Sequence, residues 1–373
     1  MRLHVLGLPH TRTTNHFSHC AYTGKVRRFA QMMQPLGYEV IHYGVSAPDS
    51  PGWAEHVEVL SPEEQVRILG FDPQVPSPEF VGRSTHVQSP LFREFNARLQ
   101  PILQDRVHGD DIICATFGHG HQEGFRGLEQ YVVETGIGYP TCVVGYRIYE
   151  SYAWLHWHLG RDQRHAWMSE WVVPNYFDVA EWPVRSDWPK RGAYVLYFGR
   201  ITKEKGVDVV WQLARARPDL QFVLCGQGDA GPWLKDTPNL TYHAPVAGME
   251  RARMFHKARV VLMPTAYLEP FGGVAVEAML TGTPVLASDQ GAFAETMDPA
   301  FRCHTFGDWL AGLDHAEKVA NLQLRERAIS RYSLEAVGPQ YDRIFQQIPE
   351  MRVRGWAAGG PPDGEHAHGG HLN

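Results

Sequence analysis

Between Val260 and Asp289 the chain reads as a strand, a loop, a short helix and a second strand. That order leaves no room for a hairpin and dictates a parallel sheet with helices across its faces. The apolar run Val260-Val261-Leu262-Met263 is closed by Pro264. A loop with Glu269 and Pro270-Phe271-Gly272-Gly273 follows, and then Val274 to Leu280 reads as a helix stopped by Gly282 and Pro284. Val285 to Ser288 is the second buried strand, and Glu277, eight positions after Glu269, falls inside the helix. Free N–H groups at such a helix start suit the negative or hydroxylated parts of a ligand. The glycines let that ligand approach the backbone closely.

The same alternation fills the rest of the chain. Leu3–Leu8 predicts a first strand, 22–36 a helix with Val26, Phe29, Ala30 and Met33 on one face, and Tyr38–Tyr43 the next strand. Further strands are predicted at 111–116 and 132–139, with a helix at 91–103 and a loop feeding a helix over 147–156. Ala47 to Val87 is rich in proline and acid and shows one helix start, Ser61-Pro62-Glu63-Glu64. A second half begins afresh at 193–198 and alternates through strands at 220–225 and 240–243. The pattern predicts an α/β protein with two doubly wound domains: residues 1–177, a linker over 178–192, residues 193–330, and a last helix over 331–350. The Gly-, Pro- and His-rich residues 351–373 read as a disordered tail.

Length and composition agree. A chain of 373 residues, 43% hydrophobic and 20% charged, is globular and long enough for two domains. The net charge of −6 gives no global pull toward nucleic acid or anionic membrane. Five scattered cysteines lack the spacing of a zinc site and fit a reducing cytoplasm, so no metal is expected. No run of about 18 apolar residues predicts a membrane span, and the N-terminus reads as a buried strand interrupted by His4 rather than as a signal peptide.

Ligands of doubly wound sheets bind beyond the carboxyl ends of the strands. There the sequence places Gly199-Arg200 and Lys205-Gly206, where a bidentate fork and a compact ammonium suit a diphosphate or simply solvate the loop. Gly226 and Gly228 end another strand. Glu269 and Glu277 lie too close along one loop and helix to flank a glycosidic bond from opposite sides. Two acceptor-only carboxylates suit sugar hydroxyls, although taken alone Glu277 reads first as an ordinary exposed helix glutamate. His119 and His121, set between glycines, are candidates to touch a substrate hydroxyl or to be incidental.

Together these residues resemble a family. Gly199-Arg200, Lys205-Gly206, Gly226-Gln227-Gly228, Glu269-Pro270-Phe271-Gly272 with Glu277, and Gly282 to Asp289 followed by Gly291 and Glu295 look like the retaining, metal-independent GT-B glycosyltransferases that use nucleotide-diphospho-sugars. The likeness is strongest over 194–295. It implies two Rossmann-like domains facing each other across a cleft. It further implies that Arg200 and Lys205 hold the donor diphosphate, and that Glu269 with the backbone of Phe271, Gly272 and Gly273 holds the sugar. Glu277 would bind the ribose, His119 or His121 would line the acceptor side, and the last helix would pack back on the first domain. Glu134 to Tyr139 and Arg147 to Trp154 resemble a subset of such enzymes in bacteria and their phages, and are assigned to the acceptor side. Where the family often has paired glycines before its first helix, this chain has Cys20-Ala21.

The resemblance implies transfer of a hexose, glucose or similar, to an acceptor hydroxyl with no cofactor beyond the donor substrate, a UDP-sugar being favoured. The acceptor is open among a saccharide, a lipid, a small molecule and a modified DNA base. A non-catalytic nucleotide-sugar-binding protein is the competing reading.

Overall fold

A computed structural model describes the chain except His19 and residues 76–85, 189–190, 317–320 and 354–373. From residue 354 onward the expected tail therefore lies outside the described residues.

The first sheet contains β1 (Arg2–Leu6), β2 (Glu39–Gly44), β3 (Glu55–Glu58), β4 (Ile112–Ala115), β5 (Tyr131–Ile137), β6 (Tyr146–Tyr149) and β7 (Glu170–Val172), in the order β3-β2-β1-β4-β5-β6-β7. The second contains β8 (Val195–Phe198), β9 (Phe222–Cys225), β10 (Leu240–His243), β11 (Val260–Met263), β12 (Val285–Ser288) and β13 (Arg302–Cys303), in the order β10-β9-β8-β11-β12-β13. Every pairing in both sheets is parallel. These are the two Rossmann-like domains of a GT-B fold. Parallel strands buried on both faces explain the near-continuous apolar runs. Leu3, Val5, Ile112 and Cys114 enter one core layer, whereas Leu6, Ile113 and Ala115 enter the layer on the other face. The polar interruption of β1 is neutralised locally, because the fully buried His4 ring meets the Tyr43 hydroxyl at 2.7 Å and Asp111 at 3.3 Å.

Helix Ala21–Met33 buries Val26, Phe29, Ala30 and Met33 on the first sheet. Phe29 also meets Tyr341 edge-on at 5.9 Å and Phe345 at 6.4 Å, so the last helix, Leu334–Val353, lies on the first domain. The two crossings between domains run side by side, with the Phe177 N–H donating to the Tyr332 carbonyl at 2.8 Å and Phe177 bridged to Ser333. No helix among the described residues is long and apolar enough to cross a membrane.

The sequence pattern did not announce β3, β6 or β13. Strand β6 was hidden by Arg147, a charge mid-strand that is buried here because it bonds the Val144 carbonyl at 2.6 Å and Glu170 at 3.2 Å. The stretch 178–192, read as a linker, is also packed where described. Asp178 caps the turn Val179–Glu181, Trp182 is buried, and Glu181 pairs with Arg27 and Arg28 of the first helix.

Candidate active site

In the second sheet β8 leads on to β9 on one side and β11 to β12 on the other, which opens a crevice at the carboxyl ends of β8 and β11. Gly199, Arg200 and Lys205 follow β8, while Glu269, Gly272 and Gly273 follow β11. A cavity of about 60 Å³ at this point is lined by Gly199, Lys205, Glu269, Gly272 and Gly273, with Tyr197, Thr265 and Val274 among its other walls.

The two loops reach each other because the backbone allows it. Gly206 adopts φ of 78°, and a Cβ there would stand 1.9 Å from the Pro264 carbonyl oxygen. Only glycine fits that approach. The Ala266 N–H then donates to the Glu204 carbonyl at 2.9 Å, tying the β8 loop to the β11 loop. The Glu269 carbonyl accepts from the Ala292 N–H at 3.0 Å, and the Gln290 amide donates to the Thr265 carbonyl at 2.7 Å. Gly272 takes the left-handed conformation that starts helix Gly273–Leu280.

Within this frame the Lys205 ammonium donates to Glu269 Oε2 at 2.8 Å and stands 4.7 Å from the centre of the Tyr267 ring. Both side chains of the ion pair are largely shielded, 17% and 12% exposed. Burial pulls the Lys205 ammonium down, but Glu269 and Tyr267 outweigh it and hold the lysine above its ordinary range. The ammonium therefore stays charged at neutral pH. Arg200 is exposed just after β8, its carbonyl accepting from the Tyr197 hydroxyl.

The remaining donor candidates sit around this centre. Gly226 packs against the Gly199 carbonyl and Gly228 against Ile201, so both serve close approach of the β8 and β9 loops. The Phe271 ring is in the core, stacked on Phe177 at 6.3 Å, which leaves its backbone facing the loop. Glu277 is buried, not exposed as a bland helix glutamate would be. Its carboxylate pairs with Arg251, whose guanidinium lies 4.6 Å from the Phe198 ring centre. Burial raises the Glu277 carboxyl, opposed by Arg251 and by Arg28 from the first domain. Arg251 and Tyr267 were not singled out from the sequence; Tyr267's signal was its place two residues before Glu269.

On the facing domain the two histidines part company. His121 is fully buried, its Nε2–H donating to the Gly7 carbonyl at 3.0 Å, and burial pushes its imidazole down to about 4. It holds the β1 loop to the β4 loop and is closed to substrate. His119 is partly exposed on the short helix Gly118–His121 and is the one of the pair left facing solvent. Beside it an aromatic wall forms, with the Tyr22, Phe117 and Tyr139 ring centres 5.1 to 5.9 Å apart. Behind the wall Lys25 is buried, pairing with Glu150, donating to the Gly136 carbonyl at 2.7 Å and standing 4.2 Å from the Tyr22 ring centre. The 134–139 and 147–154 stretches thus meet around one buried ion pair.

Residues 178–330 match the family model for glycosyl transferases group 1. The glycogen synthase of Mycobacterium tuberculosis is 33% identical over 138 residues, which are 34% of this chain; the chain spans about a third of that relative's length, 33%. The phosphatidyl-myo-inositol mannosyltransferase of Mycobacterium leprae is 26% identical over 342 residues, 76% of this chain and 88% of that protein. Among solved structures, sucrose-phosphate synthase from Thermosynechococcus elongatus superposes with a TM-score of 0.68 at 17% identity, over 94% of this chain and 99% of that one. HepE of Anabaena, solved in complex with UDP and glucose, gives 0.56 at 15% identity, over 95% and 100%. These superpositions show the GT-B fold.

Proposed function

We propose that the chain is a retaining hexosyltransferase that moves glucose or a similar hexose from a nucleotide-diphospho-sugar, UDP-sugars first, to an acceptor hydroxyl. The carrying observation is the shielded Lys205–Glu269 pair at the β8/β11 crevice, beside the open backbone of Gly272 and Gly273. A cation that stays charged and a carboxylate that accepts hydroxyl donors, side by side, match the two ends of a sugar diphosphate. In this reading Arg200 and Lys205 hold the diphosphate, Glu269 with the backbone of 271–273 holds the sugar, and Glu277, shared with Arg251, takes the ribose. His119 lines the acceptor side.

Chemistry then needs no protein nucleophile and no resident metal. The bond from the anomeric carbon to the phosphate oxygen breaks as the acceptor oxygen bonds to the same face of that carbon. The acceptor proton passes to the departing phosphate oxygen, and Arg200 and Lys205 stabilise the charge that develops there. The five unbonded thiols support a cytoplasmic setting, and the UDP complex of HepE supports UDP as the first nucleotide to test.

A thermal-shift screen of UDP-, GDP- and ADP-sugars tests the donor. The true donor at a hundred times its Kd should stabilise the fold by about 2.7 kcal/mol. Radiolabelled donor should then lose its sugar slowly to water. Stabilisation with no release would mark a binding protein, and no stabilisation by any nucleotide sugar would overturn the donor site.

A further inference from the structure

The loop that carries Glu269 is held from the opposite domain. Helix Tyr152–Asp162 of the first domain starts at Ser151, whose side chain is buried. The Ser151 hydroxyl donates to the Pro270 carbonyl at 2.7 Å, and Pro270 is the residue next to Glu269. The same oxygen accepts from the Trp154 N–H at 3.1 Å, so Ser151 caps its own helix and grips the donor loop at once. One residue further on, the free N–H groups of Tyr152 and Ala153 donate to the two oxygens of Glu295 at 3.0 and 2.7 Å. Glu295 belongs to the donor domain, on the short helix Phe293–Thr296, and the Ala292 N–H just before it bonds the Glu269 carbonyl. Leu268 completes the contact by packing against the first-domain cluster of Trp154 and Leu155.

These bonds close a ring: Ser151 to Pro270, Glu269 to Ala292, and Glu295 back to the helix that Ser151 starts. A carboxylate at a helix N-terminus is favoured by the exposed amides and by the helix dipole. Here that ordinary interaction spans the cleft. We propose that Ser151 and Glu295 are positioning residues for transfer, forming a strap that fixes the Glu269 loop only when the two domains are closed on each other. The proposal rests on the reading of Glu269 as the sugar clamp. Neither residue lines the cavity beside Glu269; both act through the backbone of Pro270 and of the helix start. Since misplacement of a reacting group by about 1 Å costs on the order of a hundredfold in rate, a backbone strap beside the clamp bears on turnover more than on nucleotide affinity.

The test uses the full chain with UDP and UDP-glucose, and separates the strap from the helix cap. Ser151→Asp keeps a good cap but has no proton to donate to the Pro270 carbonyl, Ser151→Thr keeps both bonds, and Glu295→Ala removes the cross-domain carboxylate. Ser151→Asp and Glu295→Ala should each lower kcat for glucose release about tenfold, with UDP affinity by calorimetry within about twofold of the wild type. Ser151→Thr should restore kcat. In Glu295→Ala without ligand, the amides of Tyr152 and Ala153 and of residues 268, 269 and 271–273 should exchange with deuterium about tenfold faster. Unchanged protection in that variant, or unchanged kcat in both Ser151→Asp and Glu295→Ala, overturns the strap. If the wild type neither binds UDP nor releases glucose, it is the donor reading that fails, and the exchange measurement alone decides the strap.

Discussion

The two walls of the cleft are built on different plans. The wall proposed to bind the donor comes from residues 199–206 and 263–274, locked together by backbone bonds and by close approaches that only glycine permits. Its cavity is lined by one ion pair and by Gly199, Gly272 and Gly273, which carry no side chain. The wall proposed to face the acceptor is gathered from distant segments, with Tyr22, Phe117 and His119 partly exposed, Tyr139 buried against the first two, and a buried lysine–glutamate pair behind them. A diphosphate demands fixed charge, so a wall that binds it has little latitude in residue type or spacing. A wall that receives an acceptor is bound only by the acceptor's shape. On the proposed reading, the general chemistry of this protein resides in the wall that would hold the donor and its individuality in the other.

The sharpest way to break that division is to remove the donor ion pair. Glu269→Ala and Lys205→Ala should each reduce sugar release by about 10²–10³-fold, the range for losing a group aimed at developing charge. Nucleoside binding should persist, because the ribose contacts assigned to Glu277 remain. Arg200→Ala should likewise cut turnover more than it weakens UDP binding, by calorimetry beside steady-state rates. Full activity in both Glu269→Ala and Arg200→Ala would move the chemistry elsewhere.

A smaller effect sharpens the acceptor wall. His119→Ala should lower transfer about tenfold to a hundredfold at unchanged melting temperature, as expected of a partly exposed group near the reacting atoms. His121→Ala should do the reverse, destabilising the fold by about 1–3 kcal/mol through the lost bond to the Gly7 carbonyl, with turnover largely kept. Melting curves and turnover measured on both variants decide the assignment, and a rate loss in His121→Ala without a drop in melting temperature would reverse it.

How far the sequence could be read follows the same division. The β11–loop–helix–β12 unit was legible to within a residue because its apolar runs, glycines and Pro264 lie consecutively. The partnership of Lys205 with Glu269 was not, since it depends on Gly206 lying against Pro264 across the crevice. Nor was the burial of Glu277, because Arg251 reads as one more charge on a helix until Phe198 and Trp182 are seen around it. His119 and His121 look alike in sequence. Two residues of chain turn one inward to the Gly7 carbonyl, and only the packing of the β1 and β4 loops tells them apart. Strand β6 escaped notice for a related reason, since its central charge is satisfied by partners as far off as Glu170.

The smallest expected effect concerns acid. In the first domain burial pushes His121 and His158 down to about 4, and lowers His42 as well. An unfolded histidine titrates near 6.5, so between about 4 and 6.5 the unfolded chain binds more protons. The stability these neutral rings contribute is present above about 6.5 and is lost as pH falls through that window. Glu134 works against them. Burial raises its carboxyl to about 7, so its contribution is full below the ordinary carboxylate value and is lost as pH rises through 7. Lowering the pH from 7 to 5 therefore removes support at the histidines while adding some at Glu134, and the wild type should lose stability overall. Glu134→Gln deletes the opposing group. Its unfolding free energy should fall more steeply than that of the wild type between pH 7 and 5, by a difference on the order of 1 kcal/mol. Parallel pH profiles for the two proteins would show that Glu134 is not protonated on folding, and would leave the acid response of the first domain to the histidines alone.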